Sequence, residues 1–132
     1  TGDLYRLSLD GAQMTRIAGG FVHPVGATVD ASGNIYVADE CGGWVWRVTP
    51  RGVKQRVASI GMPDDVELDG FGNLVVTDVR LVHHRVVRVA LDAAGSAAGS
   101  GLTTLAQRGL IEPQGLAIAA DGSIYIADDK AK

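Results

Sequence analysis

The sequence has little of what marks several protein classes. It holds one cysteine, Cys41, in 132 residues, so no disulfide can form within the chain and the redox compartment is left open. No apolar run approaches the ~18 residues of a membrane-spanning helix, and we expect no membrane partner. The first residues lack the charged and apolar blocks of a secretory signal, as a processed chain also would. Lysine and arginine number 12 against 15 acidic residues, and they are scattered rather than striped, which argues against nucleic acid as a partner. No segment shows a helical period. Prolines number only four, and three of them mark the same motif.

What the chain does have is glycine, 18 residues, and a hydrophobic content of 46% beside 20% charged residues. That balance allows a buried core and many tight turns. The motif opened by proline appears three times: PVGATVDASGNIYVAD from Pro24 to Asp39, PDDVELDGFGNLVVTD from Pro63 to Asp78, and PQGLAIAADGSIYIAD from Pro113 to Asp128. The starts lie 39 and then 50 residues apart, a period that signals a repeat architecture. Each copy is a hairpin of two alternating apolar segments around a Gly-rich turn. Between copies runs a second hairpin: Trp44 to Thr49 with Val53 to Ser59, then Arg85 to Leu91 with Leu102 to Gln107. An earlier one, Leu4 to Leu9 with Gln13 to Ala18, turns at Asp10-Gly11. The connection from Ala93 to Gly101 is low in complexity and is predicted to be a mobile hairpin tip.

These patterns predict an all-β chain, a β-propeller built of four-stranded antiparallel blades with strands a to d. Residues 1–132 then form a single propeller segment: strands c and d, full blades at 24–59 and 63–107, and a final a and b. That is three blades' worth of strands, fewer than the ~4 to 8 blades that close a ring. Adjacent apolar residues such as Ile35-Tyr36-Val37 and Leu74-Val75-Val76 suggest strands covered on both faces.

The pattern Pro-x-Gly, Gly-Asn, Ile-Tyr-Val-Ala-Asp and an Arg-bearing third strand resembles the NHL-repeat propellers. It is also similar to the gluconolactonase and senescence-marker-protein group. The resemblance implies the fold, and it spans lyases, lactonases, sensor domains and binding scaffolds.

In such a blade the d-to-a and b-to-c connections share one end, beside the central channel. That face gathers His23, Val25, Glu40, Cys41, Asp64, Arg80, His83, His84, Glu112, Gln114, Asp129 and Lys130. We expect ligand contacts from Glu40, Arg80, Gln114 and Trp44. In the lactonase group a similar Pro-Asp-Gly segment supplies a metal-binding aspartate, and Asp64 is the residue that matches. The resemblance thus implies a divalent cation, calcium or zinc, on Asp64, against the reading of an exposed turn aspartate. Val25 and Gln114, at the matching positions, do not fit that group's other ligands. None of these three is histidine, so the zinc site of the amidating NHL lyases does not carry over. His83 and His84 are candidate acid–base groups, although neighbours on an extended segment point to opposite sides. Cys41 is a candidate nucleophile if a histidine lies near it, and otherwise an incidental loop cysteine. Asp39, Asp78 and Asp128 recur at the end of each strand b, as structural acceptors of backbone hydrogen bonds would. Trp44 and Trp46 share one face of strand c, suited to packing between blades. Thr1 matches an N-terminal nucleophile only by type, with no base partner in the pattern.

The function expected from this pattern is a scaffold that binds a ligand or protein through its channel-mouth loops. The alternative is a divalent-metal-dependent hydrolase of the lactonase kind. Complementary end strands suggest a homodimer that completes a six-bladed ring, six being usual in the lactonase-like group. The remaining blades of a larger propeller are the other partner that would satisfy them.

Overall fold

The computed structural model describes residues 1–130, with the backbone alone at 98–100; residues 131 and 132 of the expected segment lie outside the described residues. Every regular element among them is a strand. The order is β1 (Gly2–Leu7), β2 (Met14–Phe21), β3 (Pro24–Val29), β4 (Ile35–Asp39), β5 (Trp44–Val48), β6 (Lys54–Ser59), β7 (Pro63–Leu68), β8 (Leu74–Asp78), β9 (Arg85–Leu91), β10 (Ala97–Ala106), β11 (Pro113–Ile118) and β12 (Ile124–Asp128). They form antiparallel sheets ordered β1-β2, β3-β4-β5-β6, β7-β8-β9-β10 and β11-β12. The chain is a partial β-propeller.

The turns explain why these segments pair. In the Asp-x-x-Gly turn after β3, Asp30 Oδ1 accepts the N–H groups of Ser32 and Asn34, each at 2.9 Å. Gly33 closes the turn at a φ of 82°, a conformation that favours glycine. Asp69 does the same for Phe71 and Asn73 after β7. The side chain supplies bonds that the backbone of a tight turn leaves unmade, so the spacing of Asp and Gly sets the hairpin register.

The same device corrects the expectation for the insert. Asp92 Oδ1 accepts the N–H groups of Ala94 and Ser96, so Asp92-Ala93-Ala94-Gly95 is a tight turn and not a loose tip. Gly95 faces the neighbouring blade, where an added Cβ would lie 2.6 Å from Tyr36 Oη. Gln55 Nε2 donates to Ser96 Oγ at 3.0 Å. β10 then starts at Ala97 rather than at the expected Leu102, and its pairing slips between Ala97↔Leu91 and Leu102↔Val89. The extra residues are taken up as an irregularity within the strand. For 98–100 the expectation of mobility falls outside the described side chains.

The sheets stack face to face. Tyr36, Ala38, Val45 and Val57 of one sheet, with Ile60 just after it, form a core with Val66, Leu74, Val76, Val87 and Val89 of the next. Val37 and Val48 face the other way, onto Ala18 and Phe21 of β2. Val75 and Val86 likewise face Leu116 of β11. Neighbours along β4 and β8 thus point into different inter-sheet layers, which accounts for the unbroken apolar runs. Trp46 packs edge-on against Phe21 with ring centres 6.3 Å apart, between sheets as its position predicted.

The innermost strands β3, β7 and β11 lie side by side and are cross-linked. Thr28 Oγ1 donates to Glu67 at 3.1 Å, and Asp65 Oδ2 accepts the Leu116 N–H at 2.8 Å. Thr77 Oγ1 donates to the Gln114 carbonyl at 2.7 Å. Gly26 is needed for this approach, since a Cβ there would sit 2.7 Å from Asp65 Cα.

Candidate functional site

At one end of the sheets a repeated bond ties each incoming loop to the outgoing one. The N–H groups of Glu40, Val79 and Asp129 donate to the carbonyls of His23, Met62 and Glu112. The recurring aspartates reinforce it. Asp39, 1% exposed, accepts the N–H groups of Val22 and His23 and the indole of Trp46. Asp78, 0% exposed, accepts Met62 N–H, Arg80 N–H and Arg85 Nε. Asp128 accepts the N–H groups of Ile111, Glu112 and Lys130. These three carboxylates are clamps of the loop backbone, as the repeat suggested.

The clamped loops bring acidic groups together from successive sheets. Asp64, at the start of β7, is half-buried. Burial pushes its carboxyl above the ordinary carboxylate range, and the charges of Glu40, Asp65 and Glu112 push it further, with His23 opposing. Glu112 is pulled the other way: hydrogen bonding to Lys130 holds it below the usual range, with help from the Lys130 charge, Gln114 and His84. Gln114 Nε2 points at Glu112 Oε1 at 3.4 Å.

The other expected site residues are placed as follows. His84 is half-buried with Nδ1 unpartnered among the described residues, whereas His83 is exposed. Their loop turns at Val82, whose φ of 65° is costly for a β-branched residue. Arg80 is exposed, 3.9 Å from Asp78. Trp44 opens β5 in register with Asp39, with the Arg56 guanidinium 4.6 Å from its ring centre.

One grouping was not visible in the sequence. His23 Nδ1 lies 2.6 Å from Glu40 Oε2 and 3.8 Å from Cys41 Sγ. Each residue was placed on this face separately. Their association comes from the loop-to-loop bond; the sequence left open whether a histidine lies near Cys41, and His23 does.

With this geometry in place, residues 21–48 match the family model of the NHL repeat. The chain carries an NHL repeat. Around it the architecture is that of a partial β-propeller, and solved propellers superpose on it. Virginiamycin B lyase from Staphylococcus aureus superposes with a TM-score of 0.72 at 17% identity, over 96% of this chain and 42% of that one. A streptogramin B lyase gives 0.73 at 17%, over 96% and 41%. A protein described as a gluconolactonase gives 0.73 at 20%, over 94% and 49%. At such identities the likeness establishes the fold alone. The chain spans less than half the length of these proteins. No curated protein matches it by sequence. The NHL repeat contributes Asp39, Glu40 and Cys41, together with His23, to the candidate site.

The elevated Asp64 carboxyl has a consequence for stability. The folded chain holds that proton more tightly than the unfolded chain does. Stability is therefore lost as pH rises out of the ordinary carboxylate range through the elevated pKa, and kept below it. Asp64→Asn is expected to raise the urea midpoint at neutral pH and to leave it unchanged in acid. Urea titrations of both proteins across that window check it; a variant less stable than the parent at neutral pH would contradict the assignment.

Proposed function

We propose that the channel mouth of this NHL-repeat propeller is a binding surface for a cationic or hydrogen-bond-donating ligand. The observation that carries it is the convergence of Glu40, Asp64 and Glu112, from three successive sheets, closely enough that Asp64 responds to both other charges. Acidic groups held close together at one end of a rigid scaffold favour positive charge. Val22, Val25, Leu81, Val82 and Ile111 add exposed apolar surface on the loops and strand starts of that end, as a binding site for a protein or an amphipathic molecule would have.

NMR titration with benzamidine, and with benzoate as its anionic counterpart, tests the reading. Benzamidine is expected to shift the resonances of Glu40, Asp64 and Glu112 saturably, and Asp64→Asn to weaken it about tenfold, the loss of one charge-assisted hydrogen bond. Equal binding of benzoate, or shifts spread over the whole surface, would remove the proposal.

The same convergence favours a second reading, a lactonase-like hydrolase with a divalent cation on Asp64. A hard cation needs about six or more oxygen donors. Among the described residues Asp64 belongs to no group of three histidine, cysteine or carboxylate ligands. The reading therefore draws its further oxygen donors from carbonyl groups or from other blades.

Those blades are the remaining partner. We infer that a second copy supplies them, pairing the c–d hairpin β1-β2 of each chain with the a–b hairpin β11-β12 of the other into a six-bladed ring.

A further inference from the structure

We propose that His23, Glu40 and Cys41 form a zinc-binding site with an open fourth position. The donor atoms are an imidazole nitrogen, a carboxylate oxygen and a thiol sulfur, all within 4.8 Å of one another. Zinc bonds of about 2.0–2.3 Å at tetrahedral angles place ligand atoms roughly 3.3–3.8 Å apart. The His23 Nδ1 to Cys41 Sγ distance of 3.8 Å already meets that spacing. The His23 Nδ1 to Glu40 Oε2 distance of 2.6 Å is a hydrogen bond, which a metal replaces by moving the two atoms apart by less than ~1 Å.

The loops hold these residues in place without the metal. Glu40 N–H donates to the His23 carbonyl at 2.9 Å, fixing the two backbones side by side. Asp39 grips the His23 N–H at 2.7 Å from beneath. Glu40 and Cys41 lie in a turn, so the rule that sends neighbouring side chains to opposite sides of a strand does not apply to them. The turn needs Gly42, where an added Cβ would sit 2.6 Å from Asp39 Cγ. A site on rigid, cross-bonded backbone loses little entropy on binding.

The donor set selects the metal. A nitrogen, sulfur and oxygen combination suits zinc and cobalt and is poor for calcium or magnesium, which take oxygen ligands. His23 and Cys41 are exposed and Glu40 half-exposed, so the fourth position faces solvent and takes water or an anionic or carbonyl ligand from outside. Three protein ligands and one open position distinguish such a site from a closed structural one. Asp64 is no part of it, and the proposal stands apart from the cation reading given for that residue.

Cobalt titration of the purified chain with a phosphine reductant provides the test. One cobalt per chain is expected, with a thiolate-to-cobalt charge-transfer absorption that zinc abolishes by displacement. Cys41→Ser should lose the band. His23→Ala and Glu40→Gln should weaken zinc binding by about tenfold or more, with folding confirmed by circular dichroism. Zinc should raise the unfolding midpoint of the parent and of Asp64→Asn alike, and not that of His23→Ala. Absence of the charge-transfer band, or zinc binding by Cys41→Ser and His23→Ala equal to the parent, would overturn the site and leave only a His23–Glu40 ion pair. Loss of the zinc shift in Asp64→Asn would overturn it too, by moving the metal to Asp64.

Discussion

Asp78→Ala is expected to cost about 3–5 kcal/mol of folding stability, the usual result of removing one partner from a buried charged network. The Asp78 carboxylate has no solvent exposure. It accepts Met62 N–H at 3.0 Å, Arg80 N–H at 3.2 Å and Arg85 Nε at 3.1 Å. Alanine leaves two backbone donors unpaired in a place water reaches poorly. It also strands the Arg85 guanidinium, whose side chain is only 22% exposed. Asp78→Asn keeps the shape and some acceptor capacity, and should cost less. Urea denaturation followed by tryptophan fluorescence reads both. A loss below about 1 kcal/mol for alanine, typical of a solvated surface pair, would show that the carboxylate does not hold the loops together.

The second large effect concerns assembly. The isolated chain is expected to have a mass in solution of twice 13.7 kDa. Among the described residues β1 pairs only with β2 and β12 only with β11, whereas the inner sheets have four strands. An open edge and its apolar face invite another strand. The exposed side chains are there: Tyr5, Leu7 and Met14 on the first hairpin and Tyr125 on the last. Because β1 occupies a third-strand position and β12 a second-strand position, the two edges are complementary. Two chains joined head to tail and tail to head satisfy both. An interface of main-chain pairing and apolar faces should exceed the ~1,600 Å² of an ordinary complex and be obligate. Light scattering at micromolar concentration decides it. A folded monomer would remove the two-chain ring, and further blades on a longer polypeptide would then be the partner.

Much of the fold was legible in the sequence because a propeller blade repeats its local rules. Turn glycines and aspartates recur at fixed offsets from each proline, and alternation places the strands between them. Asp39, Asp78 and Asp128 could be assigned as clamps because a residue that recurs in every unit answers a need of every unit. The insert departs from its expectation through the same local rule: Asp92-Ala93-Ala94-Gly95 has the Asp-x-x-Gly spacing of Asp30-Ala31-Ser32-Gly33, and Asp92 closes the turn.

The candidate site was legible only as a set of residues sharing one end of the blades. Sequence order places Glu40, Asp64 and Glu112 on loops or strand starts, and a propeller puts those at one mouth. Which of them feel one another depends on how sheets stack around the axis, and that is set by packing such as Val37 on Phe21 and Val76 on Tyr36. That one of His83 and His84 is exposed and the other half-buried agrees with neighbours pointing to opposite sides, but which is which came only from the fold.

By itself the amino-acid sequence determined the strands, their turns, the blade repeat and the loops that carry polar side chains, since each rests on contacts between residues near one another in the chain. The tertiary structure alone decided that His23 meets Glu40 and Cys41, and that Asp64 sits among acids of neighbouring blades. Those meetings join residues 17 or more positions apart, through a loop-to-loop bond and sheet stacking that no local pattern encodes.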